Sequence, residues 1–567
     1  MAMAMAMAMA MAMAMVQMVL ERAGRRACAE RKGACSAQRF RERSSGRSRQ
    51  ASVSLLGFSL LCMGVPAHAE NWRITPTLAV TETLTDNVFL TASDKKHSLV
   101  TAITPGIAID GKGARASLRL SYTLTGQFYS PNYSDTDRLP GQKSASNSHQ
   151  NALTAVGMLE AIEDWLFIEA TGTISQQYLS AFGTVSPSNG NANVNNNQTE
   201  TSSYSISPHI KGKLFSSAEY LLSYRATVTS SQSGLVSDTT ASEWLGKLNG
   251  NTRWSALGWA LDASRLTNNY QRRDYEDTKY QLSLLYRFNP QIQVSMFGGQ
   301  ESQNYVSLNQ ETHTTHGFGF VWTPSPRTEL SATNNKRFFG NGYDVKFHHR
   351  MPRSLITYTA SRNISSQPAG VGNTGQGSNY DAYYAIIAAN NPGASPEAIR
   401  AQVSQVLQGR GIPADGTVVN GYLTNRPSLQ ESQQLSLALL GVRNSVTLNA
   451  TESKQQPLGL VNGLTDDFSL ANQITQRGFG IIWGHQLSGL SSLSLSLNQQ
   501  RSISARSGQS DTRTQGAYLL LTTRISPKTQ ANIGARRVVS DGGAISSAGV
   551  GAGYTENALT GTLSHSF

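Results

Sequence analysis

The chain ends in ALTGTLSHSF, Ala558 to Phe567. Counting back from the end, Phe567, His565, Leu563, Gly561 and Leu559 alternate with Ser566, Ser564, Thr562 and Thr560. That is the two-residue period of a strand with one apolar face, and it runs to the final residue.

The same alternation recurs far upstream. In ARASLRLSYTLTGQFYS (Ala114 to Ser130), Ala116, Leu118, Leu120, Tyr122, Leu124 and Phe128 share one parity, while Arg115, Ser117, Arg119 and Ser121 share the other. YLLSYRATV (Tyr220 to Val228), YQLSLLYRF (Tyr280 to Phe288) and SLSLSLNQQ (Ser492 to Gln500) repeat it. Soluble sandwiches alternate too, but two features select a membrane barrel. The periodic runs reach roughly 10 to 15 residues, against about five or six for soluble strands. The connections also alternate in length. IDGKGA (Ile109 to Ala114), AIEDW (Ala161 to Trp165), FSSAE (Phe215 to Glu219), SALG (Ser255 to Gly258), FNPQ (Phe288 to Gln291), TPSPR (Thr323 to Arg327), MPRS (Met351 to Ser354), LSGLSS (Leu487 to Ser492) and SPKT (Ser526 to Thr529) are short. Between them lie long polar loops such as FGTVSPSNGNANVNNNQTE, Phe182 to Glu200. Short turns at one rim and long loops at the other are the pattern of an outer-membrane barrel, here with roughly 22 strands and a range of about 18 to 26.

Five of the seven tryptophans, Trp165, Trp254, Trp259, Trp322 and Trp483, fall beside short turns, where an aromatic girdle meets the membrane boundary. A terminal amphipathic strand carrying Leu559, Leu563 and Phe567 is similar to the signal read by the bacterial barrel assembly machinery. His565 stands where an aromatic residue is more usual.

The other end reads as a leader. Residues 1–49, a Met-Ala tract followed by an Arg-rich stretch, carry no periodic pattern and are set aside as a non-structural extension. Residues 50–69 form a signal peptide, an apolar run followed by small residues at Ala67 and Ala69, with cleavage expected before Glu70. Of 48 Lys and Arg, 10 precede Glu70, and of 36 Asp and Glu, 3 do, so the remainder carries a net charge of +5. A whole-chain pI near 9.5 therefore gives no reason to expect nucleic acid. Cys28, Cys35 and Cys62 all lie before that cleavage point, leaving an exported barrel without thiols or disulfides.

One segment, 366–432, interrupts the strands. Within it SPEAIRAQVSQVLQG reads as a helix, with Ser395 as N-cap, Pro396 and Glu397 in the first turn, and Gly409 as the stop. Ile399, Val403, Val406 and Leu407 form an apolar stripe that must dock on something, because an isolated helix of about three turns is marginal in water. The segment either enters the lumen or caps the mouth, or else stays a free loop.

Searches for reaction chemistry return little. GFGFVW (Gly317 to Trp322) and GFGIIW (Gly478 to Trp483) lack the following helix of a nucleotide loop and read as strands, with Phe318, Phe320 and Trp322 facing lipid. His348 and His349 are adjacent in a strand, so their side chains diverge. Asp135 with Asp137, and Asp466 with Asp467, read as solvated turn residues, since a calcium cage needs more oxygen ligands than a pair supplies. No catalytic, cofactor or metal site is expected, and the protein is read as no enzyme. What remains is the wet face, where Arg115, Arg119, Arg225 and Arg287 are lumen candidates. Unpaired, such guanidinium groups would favour acidic polysaccharide; paired with lumenal Asp and Glu, they would hold the interior together.

WRITPTLAVTETLTDNVFL (Trp72 to Leu90), ISQQYLSAFG (Ile174 to Gly183), TETSSYSISPHIKG (Thr199 to Gly212) and YLTNRPSLQESQQLSL (Tyr422 to Leu437) resemble a family of outer-membrane proteins. That family occurs in bacteria with the PEP-CTERM/exosortase protein-sorting system, whose genes usually accompany exopolysaccharide biosynthesis. The resemblance implies a barrel tied to surface polysaccharide or sorted surface proteins, with no catalytic residues to carry over.

The expectation is thus an all-β, transmembrane, antiparallel up-and-down barrel over 70–567, with a helix-containing loop insert at 366–432, in the outer membrane of a Gram-negative bacterium. A porin-like channel for exopolysaccharide export fits best. The partners expected are outer-membrane lipid, the assembly machinery and exopolysaccharide export components. A structural or adhesin-like barrel that binds surface polymer through loops such as Asn189 to Asn197 is the alternative, and a lipid- or polysaccharide-acting enzyme a more distant one.

Overall fold

Twenty-two antiparallel strands hydrogen-bond in sequence order and close on themselves in a computed structural model of the chain. The structure describes residues 71–567 except 134–147, 188–191, 216, 234–237, 271–272, 366–379, 425, 460–465, 506–510, 543–544, 547–548 and 551–552. Within 381–420 it describes Tyr383, Tyr384, Ile387, Ile399, Val403 and Leu407. The leader with Ala67 and Ala69, the Asp135–Asp137 pair, and Ser395, Pro396, Glu397, Val406 and Gly409 lie outside the described residues.

Closure is made by the first strand, Asn71–Thr85, and the last, Tyr554–Ser566, paired from Thr77↔Ser566 to Thr85↔Ala558. The Phe567 amide donates to Pro76 O at 3.0 Å, so the ladder runs to the final residue. A closed ladder leaves no open edge, which the hydrocarbon requires because it offers backbone groups no water. Most strands are 12 to 17 residues long, enough to cross at a tilt. No helix among the described residues is long and apolar enough to do so.

Strand alternation sorts the side chains as the sequence predicts. Leu78, Leu84, Leu124, Phe128, Leu282, Phe318, Phe479, Leu519, Leu559 and Leu563 stand exposed on the outside. In register with one another, Met296 and Phe318 share that face, as do Leu84 and Leu559. His348 lies opposite Thr357 and His349 opposite Ile356, so the adjacent imidazoles take opposite faces.

Several connections differ from expectation. Gly441 to Arg443 form a tenth short turn, between Ser428–Leu440 and Asn444–Pro457, which the apolar run Leu439, Leu440 and Val442 hides in the sequence. At the opposite rim not every connection is long, because Phe338 and Phe339 alone join Thr328–Arg337 to Gly340–Met351. That tight hairpin needs the left-handed backbone at Gly340, φ +97°.

Candidate functional site

The lumen has two differently furnished walls. On the strands Asn444–Pro457 and Ile474–Gln486, the inward parity carries Ser445, Thr447 and Asn449 opposite Gly484, Ile482 and Gly480. The next strand adds Ser494, Ser496 and Asn498 in the same rows. These positions sit toward the short-turn rim, yet Ser445, Thr447 and Ser492 are each only 1% exposed. Described residues of 366–432 lie against this wall. Tyr380, Tyr383 and Ile387 recur at helical spacing, as do Ile399, Val403 and Leu407, and all six have helical backbone. They pack into one cluster with Ile482, against which Leu440 and Tyr384 rest. Helical residues of the insert therefore lie inside the barrel against this wall. Glycine at 478, 480 and 484 keeps the wall low on either side of Ile482, a signal the sequence carried in GFGIIW but which periodicity alone left unread.

The facing wall is open. Near the short-turn rim, Lys213, Glu219, Asn249, Asn251, Ala260, Arg287 and Gln293 border a cavity of about 470 Å³. Small residues, Gly258 and Ala260 among them, make the hollow, and charged and amide groups surround it.

The four arginines do not form one row. Arg119 sits opposite Asp110 in register and lies 3.5 Å from its carboxylate. Arg225 faces Glu243 across the ladder at 4.0 Å. Arg115 falls outside the strand, in the turn before Ala116–Ser130, and bonds Glu163 of the neighbouring turn, so turn geometry rather than strand parity sets its direction. Arg287 borders the open cavity and makes no ion pair with a described residue.

At the long-loop mouth, described loop residues fold inward onto the barrel wall. The segment 179–197, which the sequence suggests as an exposed polymer-binding loop, reaches strands far from its own roots. Thr512 Oγ1 donates to Phe182 O at 3.4 Å, and Tyr554 Oη to Val185 O at 2.5 Å. Asn193 accepts from Arg536 Nη2 and donates to Glu556 Oε1, bridging an ion pair in which Glu556 is fully buried. Asn195 and Asn197 turn their amides onto Thr184 O and Ser180 O. Asn193, Asn195 and Asn197 are thus consumed internally, so these three do not present a polymer-facing surface.

Asp466 and Asp467 are likewise not solvated. Asp466 caps the one-turn helix Asp467–Leu470 and pairs with Arg426 at 2.6 Å, both nearly buried. Asp467 accepts from Ser180 Oγ and the Ala181 amide. Their oxygens are taken by a guanidinium and by N–H and O–H donors, so sequence neighbours that look like turn residues are pins between loops. Tyr422 packs beside them with Phe182 and Phe468. Burial pushes its phenol well above the usual value, with Asp467 and Asp466 adding to the effect.

No group of three His, Cys, Asp or Glu among the described residues is placed to hold a metal ion. Closed, apolar outside and polar within, this is an outer-membrane β-barrel. No family model matches the chain and no curated protein matches it. Solved structures do. The siderophore receptor PirA from Acinetobacter baumannii is 10% identical, with 87% of this chain and 80% of that one covered and a TM-score of 0.45. PirA from Pseudomonas aeruginosa gives the same identity and coverage at 0.40. The FrpB iron transporter from Neisseria meningitidis is 9% identical, with coverage of 88% and 82% and a score of 0.44. Likeness at that level carries no argument about what this barrel handles, so function has to come from its own residues.

Proposed function

We propose that this barrel is a gated outer-membrane channel for export of surface polysaccharide, closed in this conformation by its own chain. The observation that carries the reading is the cluster of insert residues, Tyr383, Val403 and Leu407 among them, seated on Ile482 inside the lumen. Barrels of about 22 strands enclose a lumen wide enough that transporters of this size carry a plug. Described residues of the insert and of the 179–197 loop lie in such a space, which supports this reading.

Two further features favour a gate over a permanent filling. The buried hydroxyls of Tyr383, Thr447 and Ser492 have no hydrogen-bond partner among the described residues. Each such group costs about 1–3 kcal/mol, which weakens the docked state relative to a released one. In addition, the open wall offers the amide and cationic groups that suit hydroxyl-rich, acidic chains, Arg287 and Lys213 foremost. The resemblance to barrels of PEP-CTERM/exosortase systems supplies the cargo class, and export components would be the partners that release the insert.

Single-channel conductance in a planar bilayer tests the proposal. The intact barrel should be nearly silent. Deleting residues 379–411 should give steady openings that acidic polysaccharide blocks from the short-turn side. A folded deletion variant that stays silent would contradict a channel and return the molecule to a scaffold role.

A further inference from the structure

The outer wall carries a feature that no part of the channel uses. Arg477, Arg501 and Arg513 lie directly opposite one another on three adjacent strands, Ile474–Gln486, Ser491–Ser504 and Thr512–Ser526. Register partners share a face and stand about 4.5–5.5 Å apart at Cβ. The same face carries Phe479, Gln499 and Gln515 two residues toward the short-turn rim, then Ile481, Leu497 and Ala517, then Trp483, Leu495 and Leu519. Phe479, Leu497 and Leu519 are exposed apolar residues of the lipid-facing belt. The arginines therefore stand outside the barrel, just beyond the belt at its long-loop end, where outer-leaflet headgroups lie. Arg537 is on the same face of the next strand but in register with Ala517, two rows nearer the short-turn rim than Arg513.

Carboxylates pair with two of these four arginines and leave the other two without one. Arg477 bonds Glu452 at 2.7 Å, but Glu452 is shared with Lys454. Arg501 bonds Asp511 at 2.5 Å. Arg513 donates instead to the Gln499 amide oxygen, and Arg537 to that of Asn557. Asp541 is the register neighbour of Arg513, yet no ion pair joins them. Like charges directly opposite on a ladder repel, and Arg513, which has only an amide oxygen beside it, is the member of the file with room for an anion.

We propose that Arg477, Arg501, Arg513 and Arg537 bind the phosphate groups of an outer-leaflet glycolipid. The planar fork of each guanidinium matches phosphate oxygens two at a time. Phe479, Leu497 and Leu519 below supply the contact for the acyl chains of the same molecule. That continuity favours a lipid phosphate over a free one.

The test uses the full refolded barrel in a zwitterionic detergent, titrated with bis-phosphorylated lipid A and read by native mass spectrometry. Each variant is first checked for heat-modifiable gel migration. The double variant Arg513→Gln/Arg537→Gln should raise the apparent Kd at least about tenfold, a loss of about 1.4 kcal/mol. Arg513→Lys/Arg537→Lys should fall between the two, keeping charge without the fork. Lumenal Arg119→Gln should bind as the parent does, and lipid A stripped of its phosphates should bind the parent no better than intact lipid A binds the double variant. Equal Kd values for parent and double variant, equally tight binding of the stripped lipid, or displacement by inorganic phosphate would each overturn the proposal.

Discussion

The two lumen walls are both polar and differ in fate. Ser445, Thr447 and Ser492 on one side are polar and almost fully covered, while Lys213, Asn251 and Arg287 on the other are polar and border an open hollow. Strand alternation puts both sets inward without distinguishing them, because parity reports which face a residue takes and not what lies against that face. Among the described residues, the apolar stripe of the insert meets the wall at Ile482 and Leu440. In the proposed channel, passage would begin along the bare wall.

The covered side should respond most strongly to mutation. Val403 is fully buried in the insert cluster. Val403→Asp would bury an unpaired carboxylate, costing several kcal/mol, so it should release the insert and raise conductance while the barrel itself stays folded. Chymotrypsin cleavage at the insert tyrosines should report the release; a variant no more cleavable than the parent would break the comparison.

Next in size is the mouth. Arg536→Ala leaves Glu556 buried without its partner, which typically costs about 3–5 kcal/mol. Thermal unfolding in detergent should show the loss. Asn193→Ala, which removes only the bridge, should cost about 1–3 kcal/mol.

An alkaline transition should follow at the same mouth. The Tyr422 phenol is buried and donates to Gln455 Oε1 at 2.7 Å. Its folded-state pKa lies above the ordinary value of 10.0. The stability this neutral phenol contributes is therefore complete below the unfolded pKa and is lost as pH rises beyond about 10, as linkage requires. Proteolysis of the loops should accelerate in that window for the parent and less so for Tyr422→Phe, since Tyr554 at the same mouth is raised in the same direction.

The smallest effect belongs to the open wall. Lys213→Gln and Arg287→Gln should change melting by no more than about 0.5 kcal/mol, the usual surface value. In the 379–411 deletion background the same pair should lower anion selectivity. A large loss of stability from either would mean that the wall is not open.

How much of this was legible beforehand depends on what carries each feature. The strands, their number, the closing pair at Phe567 and the lipid-facing phenylalanines follow from a period of two, which local sequence records directly. The stripe of Ile399, Val403 and Leu407 follows from a helical period in the same way. What 179–197, Asp466 and Asp467 do could not be read, because their partners lie far away in the chain, as Asn193 and Glu556 do. Polar loops look solvated in sequence whether they point out or fold in. The arginine file was hidden for the same reason, since Arg477, Arg501 and Arg513 meet only through strand register.

Differential thiol labelling tests the central claim most directly, because a chain from Glu70 onward contains no cysteine. Ser492→Cys on the covered wall and Asn251→Cys on the open wall would be placed singly into the folded barrel and exposed to a charged maleimide. The account predicts that Ser492→Cys reacts at least about a hundredfold more slowly, a protection of roughly 2.8 kcal/mol, and that Val403→Asp abolishes the difference. Equal rates in the parent barrel would contradict an insert seated on that wall.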